Sequence, residues 1–197
     1  MPDLLLGVFS AFGLSASAGL NAYVPLLVVG VLAHYTDMIT LNSPWDLLAN
    51  PWILILLGIL VIIEMLADKF PAVNHLNDAI QTFVRPTAGA IAFAASAKVI
   101  TDISPVLALA AGLLVAGSVH TIKSVAVRPA VTATTGGAAN VPVSIAEDVV
   151  ATTTSFLAVV IPLVMGVLIV LLLAAVIWWW WRKGEESDLP AETLQET

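Results

Sequence analysis

The chain has 197 residues, 59% of them hydrophobic and 11% charged, with a formal net charge of −7. Soluble domains carry about 45–50% apolar and about 25% charged residues, so both departures indicate a membrane domain. The acidic balance argues against nucleic acid, which calls for basic patches, and the absence of cysteine excludes disulfides, thiolate-bound zinc and thiol catalysis.

At about 20 residues per pass, the length suits roughly five to seven helical passes. Much of the acid lies after Lys183, at Glu185, Glu186, Asp188, Glu192 and Glu196. The expected organisation is all-α: a polytopic helical membrane domain over residues 1–183, then a disordered, solvated acidic tail over 184–197. Met1-Pro2-Asp3 puts no basic segment ahead of Leu4-Leu5-Leu6. The first apolar stretch is therefore expected to stay in the membrane rather than be cleaved.

Residues 4–33 are apolar but interrupted by Gly13, Ser15, Ser17, Gly19 and Asn21, with Pro25 following. Either one helix packs closely through its small residues, or two half-helices meet near Gly19-Leu20-Asn21. Non-helical backbone at membrane depth must be buried in protein or line a wet cavity. The residues favour the broken helix. Residues 35–50 form a loop with Asp37, Asp46 and Trp45 and no Lys or Arg, and Trp45 and Trp52 suit the headgroup region. Pro51 is placed to be the first helical residue of a span over 51–66. That span ends in Glu64, Asp68 and Lys69.

Over 72–84, Val73, Leu76, Ala79, Ile80 and Phe83 share one helical face, opposite Asn74, His75, Asn77, Asp78 and Gln81. This predicts an amphipathic helix at the interface or along a polar path. Two apolar helices follow, 86–100 and 105–118. At about 14 residues each they reach about 21 Å, short of a hydrocarbon core of about 30 Å. They form either a re-entrant hairpin or two tilted spans. The segment 120–142 places Thr132, Thr134 and Thr135 before Gly136-Gly137 and Asn140. A long helix then runs from Val143 through Glu147 and Asp148 into a last span over 155–181, with Pro162 as a kink. Trp178–Trp181 and Arg182-Lys183 mark its exit, which favours a cytoplasmic C-terminal end in a bacterial inner membrane.

Val84-Arg85-Pro86-Thr87 is echoed by Val127-Arg128-Pro129-Ala130, each after a segment that holds a histidine, His75 or His120. Duplicated halves with interrupted helices are a signature of transporter folds. A chance match of two short strings is the alternative.

Gly19-Leu20-Asn21-Ala22-Tyr23-Val24-Pro25-Leu26-Leu27, Glu64-Met65-Leu66-Ala67-Asp68-Lys69, Val84-Arg85-Pro86, and Arg128-Pro129-Ala130 with Thr134-Thr135-Gly136-Gly137 carry a resemblance. Through them the chain resembles the domain-of-unknown-function 4126 family, to about Val164, leaving out the acidic tail. The resemblance implies a small polytopic membrane protein. It carries over no catalytic residues and is silent on substrate.

Arg85 and Arg128 each precede a proline that can start a helix. A helix N-terminus with a guanidinium suits a carboxylate or phosphate; alone, each arginine equally suits snorkelling to a lipid phosphate. His120, Lys123, Thr134, Thr135 and Asn140 complete the candidate substrate or anion group. Glu64, Asp68, His75 and Asp78 form the candidate proton or cation group, since intramembrane acids mark ion pathways. Their plainer reading is a polar helix end, with Glu64 or Asp68 paired to Lys69 or Arg85. Lys98 is expected to pair with Asp102 one turn on, and Glu147 and Asp148 either balance Lys123 or Arg128 or face water. No metal set or cofactor is expected, and neither Gly-x-Ser-x-Gly nor His-Glu-x-x-His occurs. The expected function is transport rather than catalysis: a small transporter, channel or lipid translocator for an anion or phosphate-bearing lipid, with membrane lipids as partners and a homo-oligomer as a candidate unit. A scaffold without transport is the second reading. An intramembrane lipid-modifying enzyme built on His120 and the two arginines is the third.

Overall fold

The computed structural model describes residues 2–69, 71–96 and 104–187. Among these residues the fold is all helical. The helices are α1 Pro2–Leu20, α2 Tyr23–Tyr35, α3 Pro51–Ala67, α4 Pro71–Ser96, α5 Pro105–Thr121, α6 Arg128–Thr135, α7 Asn140–Val160 and α8 Pro162–Ser187. A widened π-helical turn, Ile122–Val127, joins α5 to α6 without a break.

The first apolar stretch is broken where its residues predict. α1 ends at Leu20, and α2 begins at Tyr23. The Asn21 side-chain oxygen accepts from the backbone N–H groups of Tyr23 and Val24, at 3.3 and 3.2 Å, and so caps α2. Pro51 is the first residue of α3, with the Asn50 side chain accepting from the N–H of Trp52 at 2.9 Å.

Small residues set the packing around α1. Ser15 donates to the Gly112 carbonyl of α5 at 2.7 Å, and Lys123 reaches the Leu20 carbonyl at 3.0 Å, so α1 and α5 run parallel. Ser17 meets the Ala151 carbonyl and the Ser155 hydroxyl of α7 at 2.8 and 2.7 Å, while Asn21 meets Asp148, so α7 runs antiparallel to α1. Phe12 and Phe93 meet edge to face at 5.2 Å on α1 and α4. Leu14, Ala18, Ala22, Ala88, Ala92, Ala116 and Ala158 fill the space between these helices. Without a hydrophobic drive between helices in lipid, such close backbone approach is what holds a bundle together. A Cβ on Gly112 would run into the Gly89 carbonyl and lie 2.6 Å from the Phe93 Cβ. Gly112→Ala is expected to cost about 1–3 kcal/mol, read as a lower melting temperature of the detergent-solubilised protein.

Three predicted boundaries change. Pro86 lies inside α4 rather than starting a helix over 86–100, so the amphipathic segment and the apolar one form a single helix. A proline in a helix interior forgoes one hydrogen bond, but fully buried Arg85, just before it, is held on other helices, and that tertiary demand overrides the local rule. The short helix predicted over 105–118 runs on to Thr135, and at 31 residues it is long enough to cross a membrane outright. The junction that would make a re-entrant hairpin, 97–103, lies outside the described residues. The last span is also separate from α7, because Ile161 leaves helical geometry at φ −135 and ψ 67. α8 is described to Ser187, and residues 188–197 lie outside the description.

Pro105–Thr135, Asn140–Val160 and Pro162–Arg182 are each long and apolar enough to span a membrane, and shorter apolar helices cover Leu5–Leu20, Tyr23–Tyr35 and Pro51–Ala67. Ile55, Ile59, Ile62 and Ile63 on α3 and nearly every large side chain of α8 are exposed, as on a surface that meets lipid. The Arg182 guanidinium stands 4.9 Å from the centre of the Trp178 ring, an interfacial pairing.

Candidate functional site

Buried charge gathers where α1 gives way to α2. The Glu64 carboxylate, from the last turn of α3, accepts from the backbone N–H of Ala22 at 3.0 Å, at the open N-terminal end of α2. Lys123 donates to the carbonyl of Leu20, the last residue of α1, at 3.0 Å. The two helix ends exposed by the break thus each meet a charge of the favourable sign.

Asp68 is the hub. Its Oδ2 lies 3.3 Å from Arg85 Nη2, 3.3 Å from Lys123 Nζ and 3.4 Å from Arg128 Nη2. Its Oδ1 accepts from the Asn77 amide at 2.7 Å. Arg85 also holds Glu64 through Nε and Nη2, at 3.1 and 3.0 Å. Glu147 of α7 joins Lys123 at 3.0 Å and Arg128 at 2.7 Å. Asp148 accepts from Lys69 at 3.1 Å and from Asn21 at 3.1 Å. Among the described residues, Lys69, Arg85, Lys123 and Arg128 therefore balance Glu64, Asp68, Glu147 and Asp148, four charges against four. Buried charges are tolerated only when paired and hydrogen-bonded in this way.

The π-helical turn makes the hub reachable. Lys123 and Arg128 are five residues apart, which a regular helix of 3.6 residues per turn would set about 140° apart. Closure of the turn over five residues brings them to one side, and both are buried against Asp68. Pro129, which cannot donate within the helix, is the second residue after the widened turn.

Asp68 lies in the turn after α3, outside the helix. Burial works to raise its carboxyl, but Lys123, Arg85 and Arg128 outweigh burial and hold it below the usual carboxylate range. The His120 ring is fully committed. Arg85 Nη1 can only donate, so Nδ1 of His120 accepts from it at 3.2 Å. Nε2 then carries the proton and faces the Thr82 hydroxyl at 3.3 Å.

Beside the hub lies a cavity of about 640 Å³, lined among others by Asp68, Lys69, Asp78, Arg128, Thr132 and Asn140. Thr132 donates to the Arg128 carbonyl at 2.9 Å and accepts from the Asn140 amide at 3.1 Å. Arg128 uses only Nη2 on its two carboxylates, and its buried Nε and Nη1 have no hydrogen-bond partner. Open donors on a buried group cost about 1–3 kcal/mol, so an acceptor brought to them is bound favourably.

Of the residues singled out from sequence, Glu64, Asp68, Arg85, His120, Lys123 and Arg128 come together in one network, and Asp68, Asp78, Arg128 and Asn140 line the cavity. Neither arginine stands at a free helix N-terminus, which corrects that part of the expected anion site: Arg85 is inside α4, and the π-helical turn runs straight into Arg128. Thr134 and Thr135 close the last turn of α6, with their hydroxyls on the Ala130 and Val131 carbonyls. Gly136 then ends the helix in the left-handed region at φ 60. His75 is a helical residue of α4 whose side chain, like the Lys98–Asp102 pair, lies outside what is described. Sequence reasoning missed Asn21, Asn77 and Thr132 as site residues and gave Lys69, Glu147 and Asp148 only balancing roles. An asparagine at a helix break and two acids in an apolar helix were usable signals. Among the described residues no group of three or more His, Asp or Glu is placed to hold a metal.

A helical bundle with several crossings, lipid-facing apolar surfaces and a buried, charge-balanced interior defines a polytopic membrane protein. The chain matches the family described as domain of unknown function DUF4126 over residues 8–182, and it belongs to that family. No curated protein and no solved structure matches it.

Proposed function

We propose that this chain is a small membrane transport protein, whether carrier, channel or lipid translocator, for a solute or headgroup that bears a phosphate or carboxylate. The observation that carries this reading is the cavity of about 640 Å³ built onto the ionic hub, with Arg128 in its wall. Ligand sites of transporters lie where helices are interrupted and their ends meet charge, and here the α1–α2 break is satisfied by Glu64 and Lys123. A volume of this size admits a small solute or a lipid headgroup. Catalysis is less well supported, because both nitrogens of His120 are engaged and the ring is not free to act as a base. Membrane lipid as the surrounding partner, a homo-oligomer as working unit and a cytoplasmic C-terminal end in a bacterial membrane belong to the same proposal; Arg182 beside Trp178 supports the last of these.

The test is reconstitution of the full chain into liposomes. Efflux of trapped phosphate and small carboxylates is followed in one arm, and flipping of a fluorescent phospholipid in another. At least one arm is expected to exceed protein-free liposomes about tenfold, and Thr132→Trp, which fills the cavity without touching a charge, is expected to abolish the gain. Rates equal to protein-free liposomes in every arm would overturn the transport reading and leave the network as the core of a scaffold.

A further inference from the structure

The ionic network is balanced without Asp78. That residue lines the cavity, is half-buried, and makes no ion pair with any described side chain. Arg128, in the wall of the same cavity, is only 7% exposed and keeps two nitrogens without a partner. Among the described residues the cavity is thus lined by a carboxylate that lies outside every close ion pair and by a guanidinium with two buried nitrogens that lack a hydrogen-bond partner.

Single charges fit this lining poorly. A plain anion that meets Arg128 is opposed by Asp78 and Asp68, and a plain cation that meets Asp78 is opposed by Arg128 and Lys69. A molecule that carries both charges answers both walls, and the fork of a guanidinium suits the anionic end. From this we infer that the cavity binds a zwitterion, with a phosphate or carboxylate on Arg128 and an ammonium on Asp78. Thr132 and Asn140 supply neutral polar atoms between them. This inference deepens the transport reading of the same site by naming the ligand class. The chemistry is shared by a free zwitterionic solute and by the headgroup of a zwitterionic phospholipid.

Calorimetric titration of the detergent-solubilised full chain tests it without any measurement of flux. Phosphoethanolamine is expected to bind at least tenfold more tightly than inorganic phosphate or ethanolamine. Asp78→Asn, which breaks no ion pair among the described residues, is expected to remove that preference while leaving phosphate binding undiminished. Arg128→Lys, which keeps the charge in the network but loses the fork, is expected to weaken phosphoethanolamine about tenfold. Repeating the titration in nanodiscs with and without phosphatidylethanolamine separates the sources. Competition by the bilayer identifies a headgroup, absence of competition a free solute, and both support the zwitterion. Equal affinity for phosphate and phosphoethanolamine, an Asp78→Asn variant that keeps the preference, or no binding of phosphoethanolamine would each overturn the inference. Zwitterion binding without flux in liposomes would instead remove the transport reading and keep the site.

Discussion

An Arg85→Met variant is expected to lose about 3–5 kcal/mol of stability, the range for breaking a buried ion pair from one side. Arg85 is fully buried and reaches Glu64, Asp68 and His120 at once. Methionine fills much of the same space, so the loss is electrostatic and not a cavity effect. It leaves Glu64, itself 1% exposed, with only the Ala22 N–H, shared between its two oxygens, for its charge. The cost should therefore fall when Glu64 is neutralised in the same chain. Glu64→Gln with Arg85→Met is expected to recover at least half of the lost stability, measured as the melting temperature of the solubilised protein. A double variant as unstable as the sum of the two single ones would contradict the coupling.

The second large effect falls on Asp68. Asp68→Asn keeps the shape and an oxygen for Asn77, yet removes the charge on which Arg85, Lys123 and Arg128 converge. A loss of about 3 kcal/mol at neutral pH is expected. Its pH dependence follows from the direction of the shift. The folded carboxyl is held below its ordinary value of about 3.9. Its stabilisation is thus complete above that value and is lost as the pH falls through the lower folded one. The gap in melting temperature between wild type and Asp68→Asn should stay constant from pH 8 to about pH 5, and close only below about pH 4. A gap that closes already near pH 6 would contradict the hub.

The residues that announce the architecture are local ones. Gly19, Asn21 and Pro25 inside an apolar run mark the α1–α2 break, and Pro51 marks the start of α3, because each acts on its own backbone. Arg85 and Arg128 stand out as costly charges in apolar surroundings, and their common destination follows from that cost. Their partners are legible as pairs, Glu64 or Asp68 for Arg85 and Glu147 for Lys123 or Arg128, and the structure makes those pairs. The convergence of Arg85, Lys123 and Arg128 on Asp68 is not, because it joins distant segments through contacts that no local pattern encodes. The Arg-Pro strings misled for a physical reason: a proline that usually begins a helix sits inside α4 and shortly inside α6, where burial of the preceding arginine outweighs the lost hydrogen bond. Nor does a π-helical turn have a sequence signature, although it is what lets Lys123 and Arg128 share Asp68. Thr134 and Thr135 read as loop residues but bond back to carbonyls four residues earlier, which helical threonines do readily.

Because the chain contains no cysteine, a single introduced thiol reports on one position only. Thr132→Cys and Asn140→Cys, in the cavity wall, are compared with Leu172→Cys on the exposed apolar face of α8. Each is treated in membranes with a charged, bilayer-impermeant thiol reagent. A water-filled path predicts rapid modification at 132 and 140, slowed by phosphoethanolamine, and almost none at 172. Cavity cysteines as unreactive as the lipid-facing one would contradict a polar path through this protein.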